Sequence, residues 1–164
     1  MDESKYPILV KHLRVIPGGG GAGRMRGAPG SELVYGPRKD PMTVVISCDG
    51  QVNPPQGVRG GHAGPAAATY RIKVNGEQEK LPGVVECRLE PGEWVRGLDA
   101  GGGGYGDPLE RDPARVCRDV LERWETPERA HKVYGVVLTG SADDDSLAVD
   151  LAATTALRAS LKKS

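Results

Sequence analysis

The sequence contains no phenylalanine and few other aromatic residues, and it carries no excess charge of either sign. Aromatic residues make up 4% of the 164 residues, so Val, Leu, Ile and Ala must fill the core. The 22 acidic and 22 basic residues cancel, which removes the charge excess that drives binding to nucleic acid or to an anionic membrane. We therefore expect neither partner, and we expect a protein partner to stabilise so thin a core.

Cysteine is scarce and long hydrophobic runs are lacking. Cys48, Cys87 and Cys117 are odd in number and form no CxxC pair, which argues against a disulfide framework and against a structural zinc site. Buried free thiols in a reducing compartment are the expected state. No stretch approaches membrane-spanning length and the first residues do not have a signal-peptide pattern, so we expect a cytoplasmic protein.

Glycine (24 residues) and proline (13 residues) are abundant, and short β-type runs recur between them up to about residue 100. The runs lie at 6–16, 32–36, 42–48, 68–74, 84–89 and 93–98. Asn75-Gly76 is a hairpin turn signal, and Pro91-Gly92 marks another turn. About six strands at this spacing predict an antiparallel sandwich or a partly open barrel.

After Gly106 the hydrophobic period changes to that of helices. Asp112 can cap a helix whose first residue is proline, and Thr126 precedes a proline in the same way. Asp150 is a plausible cap for a last helix, and the apolar segment 135–140 predicts a buried strand before it.

These patterns together predict an α+β fold in which a β-rich antiparallel sandwich or partly open barrel is followed by two or three C-terminal helices. We expect residues 1–164 to form a single domain. Its β-rich body covers about 6–100, a glycine-rich joint covers 101–108, and the helical part covers about 109–162.

Two stretches, at residues 18–23 and 101–106, formally match the G-x-G-x-x-G pattern of nucleotide-binding loops. No helix can follow the first stretch, because more glycines and a proline come directly after it. Three acids follow the second stretch, Asp107, Glu110 and Asp112, and they would repel a phosphate. We interpret the second stretch as a hinge that lets the chain turn, or as a backbone that approaches a partner or substrate closely.

Arginines in two loops are the best candidates for a polar site. Arg24 and Arg26 lie in the first glycine loop, and Arg59 and His62 lie in a second loop at 54–64. Because a guanidinium group grips carboxylate or phosphate with two donors, the two loops could converge on such a group. Alternatively, these arginines anchor their own loops through salt bridges and backbone hydrogen bonds.

The partner-facing or substrate-facing candidates combine both loops with the joint. They are Arg24, Arg26, Arg59, His62, Gly101, Gly102, Gly103, Gly104, Tyr105, Gly106 and Asp107. No G-x-S-x-G elbow is present, no cysteine has an electropositive setting, and no acid or cysteine stands at ligand spacing from His62. We predict no catalytic residue and no metal ligand in this chain.

The order of the glycine-rich motifs resembles the C-terminal region of the hydantoinase B/5-oxoprolinase family, from about residue 6 to residue 161. The motifs are GGAGRMRGAPG, PPQGVRGGHAG, AGGGGYGDPLERDPARVCRDV, AHKVYGVVL and VDLAATTALRASL. The resemblance implies a two-component, ATP-dependent system, in which a hydantoinase A-like partner handles ATP and a hydantoinase B-like partner handles the substrate carbonyl. Family members open hydantoin, oxoproline or lactam rings, or carboxylate ketones such as acetone and acetophenone.

Two departures from the family pattern shape the expected role. Members are usually several times longer, and this sequence begins near their final β-rich region, so the metal ligands are expected in the part of the family that has no counterpart here. The first glycine loop reads PGGGGAG where members typically show Asp-Ser before the glycines.

The resemblance therefore implies a small subunit of a heteromeric ATP-dependent complex, most similar to acetophenone or acetone carboxylase. It would complete the fold of a truncated hydantoinase B-like subunit, beside a hydantoinase A-like subunit, and would not be catalytic alone. ATP with magnesium and a divalent metal are expected elsewhere in the complex, with no cofactor on this chain alone. The alternatives are a subunit of an ATP-dependent hydantoinase, oxoprolinase or lactamase, and a stand-alone binding module without enzymatic activity.

Overall fold

The structure is a computed structural model that describes residues 6–162. Its elements follow the chain from a strand-rich part to a helical part. The strands are β1 (Ile8–Val15), β2 (Ser31–Pro37), β3 (Met42–Ser47), β4 (Ala68–Ile72), β5 (Gln78–Leu81), β6 (Val84–Leu89), β7 (Trp94–Leu98), β8 (Leu138–Thr139) and β9 (Ala148–Val149), and the helices are α1 (Pro113–Leu121), α2 (Pro127–Lys132) and α3 (Leu151–Leu161).

The strands before residue 100 form an open two-layer sandwich. Five of them make an antiparallel sheet in the order β1-β2-β7-β4-β5, and β3 pairs with β6 in a two-stranded ribbon. Val44 and Leu89 of the ribbon pack with Leu81 and Val95 of the sheet in one buried cluster. The predicted antiparallel, β-rich class is confirmed, and the sandwich does not close into a barrel.

All six predicted runs contain strands, but β5 was not predicted. Its sequence, QEKL, has three exposed polar residues and only one buried apolar residue, Leu81, so it lacks a period-2 hydrophobic pattern. It forms because the predicted Asn75-Gly76 turn, with Gly76 at φ +86°, brings it back against β4.

The three predicted helix caps are confirmed. The side-chain oxygens of Asp112, Thr126 and Asp150 each accept a backbone N–H of the first helical turn, at 2.9, 3.2 and 2.9 Å. Such caps satisfy donors that a helix cannot pair internally. Proline occupies the first position of α1 and of α2, as the sequence indicates.

The helices enclose a second core, separate from the sandwich core. Its buried members are Ala22, Val116, Val120, Ala130, Tyr134 and Val136. Along the described residues, no helix is long and apolar enough to span a bilayer.

The strand predicted at 135–140 is much shorter than expected. Val136 is fully buried, but only Leu138–Thr139 pairs with β9. Two backbone N–H groups bond to helical residues instead, because Val136 N donates to the Ala130 carbonyl at 2.9 Å and Val137 N donates to the Thr154 hydroxyl at 3.0 Å. The apolar pattern of this segment therefore predicted its burial correctly. It did not predict a full strand, because two of the backbone N–H groups donate to helical residues instead of to a neighbouring strand.

A buried carboxylate lies on the face of the five-stranded sheet that points away from the ribbon. Glu32 is only 3% exposed and accepts hydrogen bonds from Arg14 and Arg96, with His12 Nε2 at 3.5 Å. Burial alone would raise the pKa of Glu32, but the hydrogen bonds from Arg96 and Arg14 outweigh burial and hold that pKa below 4.5. The cluster therefore ties β1, β2 and β7 together.

We expect Glu32→Gln to lower the free energy of unfolding by about 1–2 kcal/mol at neutral pH. Because the folded pKa lies below the unfolded value, the stabilisation is present above about pH 4.5 and disappears as the pH falls through the folded pKa. Urea unfolding across this range checks the prediction. The control is Glu90→Gln at an exposed position, which removes only an ion pair with Arg88. If Glu32→Gln lowered the free energy of unfolding by the same amount at neutral and at acid pH, the prediction would be contradicted.

Candidate functional site

Three glycine-rich segments from distant parts of the chain lie side by side and bond through their main chains. We call residues 18–30, 55–64 and 99–106 the glycine bundle. Gly21 N donates to the Gly102 carbonyl at 2.8 Å, His62 N donates to the Ala22 carbonyl at 2.7 Å, and Gly104 N donates to the His62 carbonyl at 2.9 Å. Each segment is therefore bonded to both of the others.

Close packing, more than backbone conformation, requires glycine in the bundle. A Cβ on Gly101, Gly103 or Gly104 would lie closer than 3.0 Å to a carbonyl oxygen of a neighbouring segment. Real Cβ atoms do not approach backbone atoms so closely. Within the glycine-rich joint 101–108, only Gly106 has positive φ, at +75°, so the joint works as a contact surface along most of its length.

Several backbone amides of the bundle are already hydrogen-bonded, which disfavours phosphate binding. Phosphate-binding loops need several free backbone N–H groups that point at the ligand. Here the N–H groups of Gly21, Gly102, Gly104 and Gly106 all donate to carbonyls within the bundle. This supports the interpretation that both G-x-G-x-x-G matches are structural.

The two arginine loops do converge at one end of the bundle. Arg24 and Arg59 line a pocket of about 230 Å³ together with Tyr105, Gly106, Asp107 and Glu110. Arg59 Nη1 donates to the Tyr105 hydroxyl at 2.8 Å, and its guanidinium lies 5.6 Å from the ring centroid. Asp107 Oδ1 accepts from the backbone N–H of Leu109 at 2.8 Å, so this acid caps a turn.

Arg26 and His62 take different roles from Arg24 and Arg59. Arg26 Nε lies 3.1 Å from Asp119 Oδ1, and its guanidinium lies 5.8 Å from the Trp124 ring. This is the loop-anchoring arrangement. His62 exposes its side chain, and it contributes to the bundle through its main-chain N–H and carbonyl.

Sequence reasoning missed the most buried ion pair near the bundle. Arg111 and Asp119 are 6% and 8% exposed, and Arg111 Nη2 lies 2.7 Å from Asp119 Oδ2. Arg111 Nη1 also donates to the Arg24 carbonyl at 3.0 Å, while Arg158 donates to the Arg111 carbonyl at 2.7 Å. Arg111 precedes α1, so no helical or strand spacing relates it to Asp119. The only sequence signal that includes Arg111 is the motif GDPLERDP.

A second missed arginine attaches the other helix to the bundle. Arg129 Nε lies 2.8 Å from Oε1 of the buried Glu125, and Arg129 Nη2 donates to the Gly20 carbonyl at 3.1 Å. Because a glycine segment has no side chains to pack against a helix, the helix contacts it through hydrogen bonds to its carbonyl oxygens. Arg111 and Arg129 donate such hydrogen bonds to the first glycine segment.

Two groups that could act as nucleophiles have raised pKa values, and the described residues contain no metal-binding cluster. Burial raises the pKa of the Cys117 thiol, and burial raises the pKa of Tyr134 to about 12. A reactive thiol instead needs a lowered pKa. Within residues 6–162, no group of three or more His, Cys, Asp or Glu side chains is placed to hold a metal ion.

Comparisons with known proteins find relatives that match most of this chain. The family model described as Hydantoinase B/oxoprolinase matches residues 1–108. Caprolactamase subunit beta of Pseudomonas jessenii is 35% identical over 150 residues, which cover 89% of this chain and 26% of the relative. The acetone carboxylase alpha subunit of Xanthobacter autotrophicus is 27% identical over 199 aligned positions, which cover 98% of this chain and 25% of the relative.

A solved structure shares the fold over nearly the whole chain. The crystal structure of the ATP-dependent caprolactamase from Pseudomonas jessenii matches with a TM-score of 0.74 and 28% identity, covering 96% of this chain and 27% of that chain. This chain spans about a quarter of the length of these two relatives.

Gly103→Val tests whether the bundle depends on close backbone approach. We expect a loss of about 3 kcal/mol or more in the free energy of unfolding, because the new Cβ would overlap the Gln56 carbonyl. Gly97→Ala is the matched control, since a Cβ there would lie 4.0 Å from the Leu33 carbonyl, and it should change stability by no more than about 1 kcal/mol. Equal unfolding midpoints for the two variants would contradict the prediction.

Asp119→Asn tests the buried ion pair that holds α1 to the bundle. Removing the negative charge leaves Arg111 buried without a counter-charge, so we expect a loss of about 3 kcal/mol. Glu122→Gln, on the same helix and in an exposed pair with Arg118, should change stability little. Thermal or urea unfolding of both variants provides the measurement, and a stability for Asp119→Asn as high as that for Glu122→Gln would overturn this role.

Proposed function

This chain belongs to the hydantoinase B/oxoprolinase family, and we propose that it is a structural part of a heteromeric, ATP-dependent hydantoinase-type enzyme complex. In this role it completes the fold of a hydantoinase B-like partner and is not catalytic by itself. The names of the relatives describe subunits, caprolactamase subunit beta and acetone carboxylase alpha subunit, which supports a role within a multi-subunit enzyme.

The observation that carries the proposal is the glycine bundle. Its three segments bond to one another through their main chains, and the bundle presents Arg24, Arg59 and Tyr105 at one pocket. Such a bundle can position or support other parts of an enzyme without taking part in bond making. A chain that carried its own chemistry would need a nucleophile, a base or a metal site at a cleft.

The proposed partners follow from the family. A hydantoinase A-like subunit binds ATP with magnesium, and a hydantoinase B-like subunit holds a divalent metal and the substrate carbonyl. This chain binds neither cofactor alone. We place the complex in the cytoplasm, where ATP and free thiols such as Cys87 and Cys117 are both maintained.

Two carbonyl chemistries are candidates, ketone carboxylation and cyclic-amide ring opening. The sequence alone favours the first, but the comparisons give more support to the second. Identity is 35% to the caprolactamase subunit and 27% to the acetone carboxylase subunit. The second alignment runs over 199 positions, more than the 164 residues of this chain, so it requires far more inserted positions than the first, which runs over 150 positions and covers 89% of this chain. We therefore propose ring opening of a cyclic amide as the leading reaction and ketone carboxylation as the alternative.

Reconstitution tests the proposed function. The chain is co-expressed with the hydantoinase A-like and hydantoinase B-like polypeptides of the same organism and purified by size exclusion. We expect one complex whose ATP hydrolysis depends on this chain and is stimulated by caprolactam, hydantoin or 5-oxoproline. Stimulation by acetone or acetophenone with bicarbonate would instead identify the carboxylase alternative.

Two variants connect the reconstitution to the glycine bundle. Gly103→Val should fail to restore activity to the complex, whereas Gly97→Ala should restore it as the wild type does. A monomer that hydrolyses ATP in a substrate-dependent manner by itself would overturn the proposed function. A compact monomer that joins no complex would favour the stand-alone binding module.

A further inference from the structure

One end of the glycine bundle carries exposed apolar side chains in a continuous row. Met25 and Tyr105 exchange backbone hydrogen bonds at 3.0 and 2.9 Å, and Val58 forms a β-bridge with Tyr105 on another segment. Their side chains are 53%, 37% and 55% exposed for Met25, Tyr105 and Val58. The row therefore has one residue from each segment, on a body that is otherwise mostly glycine.

Three arginines surround this row, and we call the six residues Arg24, Met25, Val58, Arg59, Tyr105 and Arg115 the tip. Arg59 stacks on Tyr105, and Arg115 Nη1 lies 4.0 Å from the Met25 sulfur. Within residues 6–162, none of the three tip guanidinium groups pairs with a carboxylate. By contrast, Arg26, Arg111 and Arg129 are all paired.

Acidic residues lie close to the tip, but two of them face the backbone. Asp107 accepts from Leu109 N at 2.8 Å, and Asp112 accepts from Ala114 N at 2.9 Å. Glu110 remains at the rim of the pocket that Arg24 and Arg59 line. Arg24, Arg59 and Arg115 are exposed, and their guanidinium donors other than those that contact Tyr105 and Met25 are available to a ligand.

We propose that the tip is a docking surface for a segment of the hydantoinase B-like partner in which carboxylate and apolar side chains lie together. This inference rests on the proposed function and identifies the surface through which it operates. Arginine, tyrosine and methionine are the residue types enriched where proteins meet. A guanidinium group also accepts a carboxylate with two parallel hydrogen bonds, which fixes orientation as well as charge.

The two pockets at the tip give the partner places to insert side chains. One, of about 230 Å³, adjoins Tyr105, and the other, of about 390 Å³, adjoins Met25 and Arg115. The backbone beneath them is held by the bundle, and Arg59 is fixed at φ +52° with its side chain on Tyr105. Binding therefore costs little additional ordering of this surface. A polyanion is disfavoured, because the whole chain has no net positive charge.

Charge reversal at the tip tests the inference. The variant Arg24→Glu, Arg59→Glu, Arg115→Glu is compared with the control Arg38→Glu, Lys39→Glu, Arg88→Glu, in which three exposed cations elsewhere are reversed. The probe is the purified hydantoinase B-like polypeptide, and Kd is measured at about 50 mM and about 300 mM salt. We expect the tip variant to bind about thirtyfold or more weakly and the control to bind within about threefold of wild type.

Two further measurements separate the contributions of charge and apolar contact. Wild-type binding should weaken as salt rises, and the tip variant should lose that dependence. The variant Met25→Gln, Val58→Thr should weaken binding while keeping the salt dependence of the wild type. Circular dichroism should show that all variants keep the fold, because every substituted side chain is exposed.

The possible outcomes distinguish this inference from the function on which it rests. If the wild type forms the complex and the tip variant binds no more weakly than the control, the tip is not the docking surface and the proposed function stands. If the wild type forms no complex, the proposed function fails and the inference fails with it. Tight binding of a single-stranded oligonucleotide that is abolished in the tip variant would overturn the inference in favour of a nucleic-acid surface.

Discussion

Three stretches of main chain pack more closely in this protein than any side chain would permit. A Cβ on Gly21, Gly27 or Gly104 would overlap a carbonyl of a neighbouring segment, so the segments stay together through N–H···O=C bonds and backbone contact. The apolar contribution of side chains, which stabilises most folds, is missing here. The surrounding elements must therefore hold the bundle in another way, and they do so with long cationic side chains that reach glycine-segment carbonyls.

This constraint explains why buried charge is concentrated at the boundary between the bundle and the helices. Arg111 and Arg129 donate to main-chain carbonyls of the first glycine segment, and each is paired with a buried carboxylate, Asp119 or Glu125. A buried pair of this kind contributes modest net stability but makes the loss of either partner costly. The arrangement therefore fixes where α1 and α2 lie, while Ala22 joins the bundle to the helical core.

Local elements could be predicted from the sequence because their signals are local. Period-2 runs identified six strands, and Asp112, Thr126 and Asp150 identified three caps. The bundle itself could not be predicted, because glycine runs carry no periodicity that indicates a partner segment. The convergence of Arg24 with Arg59 was one of two open possibilities, and the Arg111–Asp119 pair depends on a turn before α1 that spacing rules do not describe.

The close backbone packing of the bundle constrains what this part of the protein can do. The N–H groups of Gly21, Gly102, Gly104 and Gly106 donate within the bundle, which disfavours phosphate binding of the kind that nucleotide loops use, and the glycines leave few side chains to shape a substrate pocket. The side chains of Arg24, Arg59 and Tyr105, one from each segment, meet at one pocket. The bundle therefore fixes the backbone beneath these three side chains, and the conformational entropy lost by so many glycines is the cost of that arrangement.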